Sequence, residues 1–571
     1  MKKSTQFVWL IGIVFVVNLL WMNHSVTLWD EDEAAYAGFA IEMLNSGDWV
    51  NPEYQWSVIH RKTPFHFWSI AISYQIFGVN EFAVRMPSVL AILLTCLMVF
   101  RMGRTLVGDK NAGRAAVILA TSVQLPLMGK IALTDASLLL FETVAVLSLL
   151  NFLNRPSWKW NLGLWLSIAL GILVKGPPII LLVGGLWILL AIFHPKRKQL
   201  IRTHPWFFGW LAIAPFALWC YLSYLQDWAL WQETGNGIPF AEWWQEEANG
   251  HKIHLLPFLW EWYVLRRIGG SVLGQSGFIG YHFVVLSIAF LTWLPFWLLT
   301  LKSTLKSFVR PSEQQLTLLL WVVMGWFFWE FMSSKLPSYS MGAQPALALL
   351  MALQIEQLEK EPANRSLVNV GLGLYALIFG LVIIGLPILG QYFVGNSALG
   401  YLLPMSFVLL VLLIRLLQKR TGINQLYQHI AIFGAAFMFL LWACVSPLVE
   451  QSAIKSFDEV IETAYELSGK NEEARLILTE FDIKQLKISL LVYAQQRFGA
   501  HEEMYLSEAI AAFQEEQPTV LVIGKKHIQE FRAAFAKAKL PFNATEVLHR
   551  STDDQLKEHN FWVISNVAER K

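Results

Sequence analysis

The stretch "FVWLIGIVFVVNLLWMNHSVTLWDEDEAAYAGFAIEML" (residues 7–44) decides how this chain is read. From Phe7 to Met22 it is apolar and long enough to cross about 30 Å of hydrocarbon as a helix. "MKKSTQ" precedes it and no small-residue cleavage site follows, so it reads as an uncleaved first membrane span. Four carboxylates then stand in a row, Asp30, Glu31, Asp32 and Glu33. Charge beside hydrocarbon is costly and persists where it has a partner or a role.

The rest of the chain repeats the apolar pattern. Of 571 residues, 55% are hydrophobic and 15% charged, with a mean hydropathy of +0.45. A soluble domain carries about 25% charged residues, so the composition predicts an all-α polytopic membrane protein. A net charge of +2 gives no footing for nucleic acid. Cys96, Cys220 and Cys444 lie in apolar stretches and match neither a disulfide nor a metal spacing. Apolar windows fall near 7–22, 82–100, 113–129, 136–153, 160–174, 177–193, 206–224, 279–300, 316–332, 339–356, 367–388, 400–417 and 429–448, about thirteen transmembrane helices.

Basic residues test that alternation. With the N-terminus in the cytoplasm, every inner connection is basic, as with Arg101, Arg104, Lys110 and Arg114, or Lys196, Arg197, Lys198 and Arg202. Lys and Arg in short loops are retained on the cytoplasmic side. The membrane domain is then 1–449, with long outer loops at 23–81 and 225–278. The tail, 450–571, alternates strand-like runs ("RLILTEF", "TVLVIG", "FWVISNV") with helical ones ("IKQLKISLLVYAQQ", "KKHIQEFRAAFAKA"). It predicts a small α/β domain on the extracytoplasmic side.

The isolated charges gather on that same side: Asp32 and Glu33 after span one, Lys62 in "HRKTPFHFW", Lys130 and Asp135 in "GKIALTDASLL", Lys175 in "LVKGPP" and Lys335 in "SSKLPSYS". Each has a bland reading alone. Asp32 and its neighbours cap the helix "EAAYAGFAIEML", and Asp135 caps the next span. The lysines snorkel at helix ends. Asp32 to Tyr36 is an i,i+4 step that turns both one way. Two acids and several cations on one face, beside two aromatic loops, form a cluster suited to an anionic head group and to removing a proton beside it.

These residues also carry a resemblance. The run "DEDEAAYAGFAIEMLNSGDWVNPEYQWSVIHRKTPFHFWSIAISYQIFGVNEFAVRMPSVL", followed in order by "LTDASLLLF", "GILVKGP" and "SSKLPSYSMGAQPALALL", resembles the signature of bacterial GT-C glycosyltransferases. These are the aminoarabinose transferases of lipid A and their protein-mannosyltransferase-like relatives. The resemblance covers residues 1–360 and implies transfer of a sugar from a polyprenyl-phosphate carrier to a lipid or protein acceptor at the outer face of the cytoplasmic membrane. By similarity Asp32 is the essential acid and Asp135 the second. Lys62 holds the carrier phosphate, Tyr36 belongs to the acid motif, and Lys335 and Tyr339 lie in a later motif near the site. Glu33 and Arg61 join the substrate-binding set, and Arg266, beside Arg267, is a weaker phosphate contact.

Departures from the family bear on metal. Arg61 stands where the aminoarabinose group usually has Glu, and Gln275 where it has His. Both family ligands are replaced, so no metal and no other cofactor is expected. His251 and His254 in "GHKIH" fit a structural pair better than a ligand pair. The expected reaction is a single inverting displacement. Asp32 serves as general base, and cations stabilise the charge growing on the leaving phosphate. The competing readings are a polyprenyl-linked glycan transporter or flippase, which would place its site near the bilayer midplane, and an O-antigen-type ligase.

Overall fold

The computed structural model describes residues 3–29, 32–51, 62–234, 276–307, 311–361, 365–418, 422–451, 458–479, 488–499, 502–515, 517–524, 527–540, 542–550 and 558–567. They fall into two compact units. One holds 1–23, 48–69 and 85–444; the other holds 24–47, 70–84 and 445–571. The cut differs from the expected boundary at 449, because two outer segments cluster with the tail.

The first unit is helical. Its elements begin with α1 (Lys3–Leu20), and α2 (Asp32–Ser46) follows in the other unit. Next come α3 (Phe65–Phe77), α4 (Glu81–Ala120), α5 (Gln124–Met128), α6 (Thr134–Asn154), α7 (Trp158–Lys175) and α8 (Pro177–Phe193). At 1.5 Å per residue α4 would reach about 60 Å, twice a hydrocarbon layer. Gly108 interrupts it with φ 80° and ψ 161°, a conformation open to a residue without Cβ. One apparent helix therefore serves two of the apolar windows.

Among the described residues six helices are long and apolar enough to cross a membrane, or seven if the pair Tyr281–Ala289 and Leu291–Lys306, bent by 68°, is one span. The other windows carry helices too, but shorter or broken ones. Pro177–Phe193 is one; another runs through Glu313–Val322, a π-turn at Val323–Phe327 and Phe328–Glu330. Length and hydropathy alone thus do not reproduce thirteen spans. The pairing of the connections speaks to alternation independently. Loops expected on the inner side meet one another: Lys110 and Arg114 with Glu359, Arg114 with Asn424, Lys196 with Glu313. Loops expected on the outer side do likewise: Gln124 Nε2 donates to Pro337 O at 3.0 Å, and Lys175 meets Asp135.

Close helix packing requires a glycine at position 325. A Cβ on Gly325, inside the π-turn, would lie 2.6 Å from the backbone N of Ala343. Gly184 has open space instead. Gly325→Ala is therefore expected to lower stability by about 1–3 kcal/mol through overpacking, while Gly184→Ala leaves it unchanged. Thermal unfolding of both variants in detergent checks this.

In the second unit the tail forms a five-stranded sheet, β1 (Arg475–Thr479), β2 (Glu502–Met504), β3 (Thr519–Gly524), β4 (Ala544–Arg550) and β5 (Glu558–Ser565), in the order β2-β1-β3-β5-β4. β1 pairs parallel with β2 and β3; β5 pairs antiparallel with β3 and β4. The register sets Ile477 beside Leu521 and Leu521 beside Ile564. β1 and β3 are buried nearly end to end, as strands covered on both faces are. Their core is completed by Phe513, Phe531 and Phe535 from flanking helices. The expected α/β character holds, and β2 and β4 add two strands that composition did not suggest.

Candidate active site

The first unit brings together acids and a base from segments distant in sequence. Asp135 stands in the first turn of α6, where a carboxylate suits the helix N-terminus. Lys175 closes α7 in its last turn, where a cation suits the C-terminus. α6 and α7 pack against each other, so the end of one lies beside the start of the other. Lys175 Nζ reaches Asp135 Oδ1 at 2.8 Å, with side-chain exposures of 27% and 12%. Gly176 then turns the chain with φ 73° and ψ −122°, and Pro177 opens α8. Pro at the first helical position costs no hydrogen bond.

A small, partly open pocket lies at this pair. Asp135, Glu142, Lys175, Pro178, Trp329 and Tyr339 are among its lining residues. Glu142 lies two turns beyond Asp135 on α6 and is buried. Gly342 leaves room for it, since a Cβ there would stand 2.9 Å from Glu142 Oε2. Tyr339 packs on Trp329 at 4.9 Å, and Lys175 Nζ lies 5.8 Å from the Tyr339 ring centroid. The pocket thus offers two carboxylates, one ammonium and an aromatic wall.

Lys62 is half-buried just before α3. Three residues on, Phe65 meets Phe141 edge to face at 5.3 Å. Phe141 neighbours Glu142 on α6, so this pair fastens the start of α3 to the helix that carries both pocket acids. In the second unit Asp32 is exposed in the first turn of α2. Glu33 is buried there and accepts a hydrogen bond from Trp29 N at 3.0 Å, and Tyr36 is buried. Arg61, Arg266, Arg267, Gln275, His251 and His254 lie outside the described residues. Among the described residues no group of three or more His, Cys, Asp or Glu could hold a metal ion.

Lys335 is placed differently from the expected substrate contact. It is buried and is not among the residues lining the pocket. Its ammonium donates to Glu330 O at 2.6 Å and lies 3.8 Å from Glu330 Oε2. Glu330 is a junction: Oε1 accepts from Phe283 N and Trp326 Nε1, both at 3.1 Å, and Oε2 from Gly280 N at 3.0 Å. It caps the helix Tyr281–Ala289 from another element and fastens it to the segment that carries Tyr339. Glu330→Gln offers one acceptor oxygen in place of two, so about 1.5–3 kcal/mol of stability should be lost. Chemical denaturation in detergent measures it, with Glu330→Asp as the charge-keeping comparison.

Lys130 also leaves the cluster. Its Nζ donates to Trp21 O at 2.8 Å and lies 4.6 Å from the Trp442 ring centroid. Burial, with Arg85 nearby, pushes its pKa down to about 7. It ties the end of α1 to the turn before α6. Sequence reading gave too little weight to Lys175 and missed Glu142. The signal for Glu142 was present: a lone acid inside an apolar span is a functional candidate.

Residues 61–221 match the family model described as dolichyl-phosphate-mannose-protein mannosyltransferase. An uncharacterized protein of Aquifex aeolicus is 27% identical over 456 residues, 78% of this chain and 79% of that one. The undecaprenyl phosphate-alpha-4-amino-4-deoxy-L-arabinose arabinosyl transferase of Yersinia pestis is 28% identical over 392 residues. That match spans 66% of this chain and 65% of the Yersinia protein's length. In fold, the chain is similar to the crystal structure of ArnT from Cupriavidus metallidurans bound to undecaprenyl phosphate. The TM-score is 0.69 at 18% identity, over 99% of this chain and 98% of that one. The apo structure of the same protein gives 0.68. Motifs, family model and fold agree, and the resemblance read from the sequence is borne out.

Proposed function

We propose that this chain, a multi-pass membrane glycosyltransferase of the GT-C type, moves a sugar from a polyprenyl-phosphate carrier to a lipid A-like or protein acceptor. The reaction takes place at the outer face of the cytoplasmic membrane and inverts the anomeric centre. In this reading the N-terminus is cytoplasmic and the tail extracytoplasmic, which the basic residues of the inner connections support. The observation that carries the reading is the Asp135–Lys175 pair, lodged with Glu142 against Tyr339 in a pocket among the connections expected outside. Nothing in that arrangement needs a nucleophile from the protein.

The chemistry follows from charge. As the glycosidic bond breaks, the bonding electrons go to the phosphate oxygen. Fixed cations stabilise that charge most where it is largest, in the transition state. Lys62, Arg61 and Arg266 supply it, and Lys175, steered by Asp135, adds to it. The acceptor oxygen attacks the anomeric carbon from the opposite side and gives its proton to Asp32. Trp329 and Tyr339 provide the flat apolar face on which a sugar ring packs.

The test is transfer in liposomes holding the purified protein, a radiolabelled polyprenyl-phosphate sugar and either lipid A or a Ser/Thr-rich peptide. Label moving to one acceptor in an Asp135-dependent manner supports the reading and chooses the acceptor. Label crossing the bilayer while still bound to its carrier would replace it with the transporter reading.

A further inference from the structure

The tail has so far had no role, and the second unit suggests one. Residues 24–47, which contain the acid motif, fold in one compact body with 445–571. The tail helix Ile488–Phe498 carries six consecutive buried residues, Ser489 to Ala494. That is more than the single stripe a surface helix hides. It is covered by β1 and by the helix Asp458–Leu467, and it packs against α2.

At that junction Tyr493 Oη accepts a hydrogen bond from Leu28 N at 2.9 Å, and both residues are at most 2% exposed. A buried N–H requires a partner, and here the tail provides it. Two further hydrogen bonds join Trp29 to the first turn of α2. Trp29 N donates to Glu33 Oε2 at 3.0 Å, and Ala34 N donates to Trp29 O at 3.0 Å. Asp32, four residues beyond Leu28, stands in the first turn of α2 with its side chain exposed.

We infer that the tail domain is a working part of the transferase, and that Tyr493 is a positioning residue setting where Asp32 stands. The inference rests on Asp32 being the catalytic base proposed above. Without the Tyr493 hydroxyl, Leu28 N loses this buried hydrogen bond, the start of α2 is held less firmly, and the base spends less time in line with the acceptor.

Tyr493→Phe removes one oxygen and keeps the buried ring. It is expected to lower kcat about 5–30-fold, the equivalent of one weakened contact, with the KM for the carrier-linked sugar unchanged. Amide hydrogen exchange in residues 28–46 should accelerate. Unchanged kcat would overturn the inference, whatever the exchange shows. Asp32→Asn in the same assay separates the two failures. If Asp32→Asn retains transfer, the base assignment itself is wrong. If it abolishes transfer while Tyr493→Phe does nothing, only the positioning role is. Should Tyr493→Phe not fold, native-state exchange on the unaltered protein decides. Residues 28–46 and 488–498 should open together with one free energy, and separate opening overturns the coupling.

Discussion

Asp32→Asn is expected to lower glycosyl transfer by about 10²–10⁴-fold, the span a positioned general base contributes, while polyprenyl phosphate binds as before. Asn keeps the shape and loses the proton acceptor. Its amide can still serve the N-terminus of α2, where Asn caps about as well as Asp. The buried carboxylate of Glu33, which accepts from Trp29 N, remains in place. A stability defect is therefore not the anticipated cause of lost activity. Rates measured with the labelled carrier, together with a binding isotherm for polyprenyl phosphate, check both halves. Transfer within threefold of the unaltered enzyme would remove Asp32 from the mechanism.

The second large effect concerns the pair at the pocket. Lys175→Met removes the cation that meets Asp135, a carboxylate only 12% exposed. Asp135→Asn removes the charged partner that meets the ammonium at 2.8 Å. Each single change is expected to cost about 10–100-fold in kcat/KM, since 1.36 kcal/mol is a factor of ten. The double variant should fall well short of the product of the two. Residues in contact within one ion pair couple by about 0.5–3 kcal/mol. A double-mutant cycle on kcat/KM reads this directly, and strict additivity would show that the 2.8 Å contact has no part in the reaction. Gly176→Ala offers an independent approach to the same pair. At φ 73° and ψ −122° a Cβ is strained, so the turn that aims Lys175 should shift, at about 1–3 kcal/mol.

Much of this was legible in one dimension. The apolar windows coincide with helices, and the acid motif after α1 does open a helix, because both follow from local composition. The departures have physical causes. Lys130 and Lys335 look like site cations in the sequence, yet each ammonium is taken up by backbone carbonyls of nearby segments. Glu142 looks like a lapse in an apolar helix, yet it sits on the same helical face as Asp135, two turns along, in the pocket.

The sequence by itself determined that this is a membrane protein, where its helices run and which residues carry the charge. The free energy of placing a residue in hydrocarbon depends on that residue and its near neighbours. Only the tertiary structure decided which charges meet. A pair such as Asp135 and Lys175 is made by the packing of α6 on α7. The bond from Leu28 to Tyr493 joins residues 465 positions apart. Such distances belong to the fold, since a hydrogen bond or ion pair is won or lost over about 1 Å, a precision that no local pattern encodes.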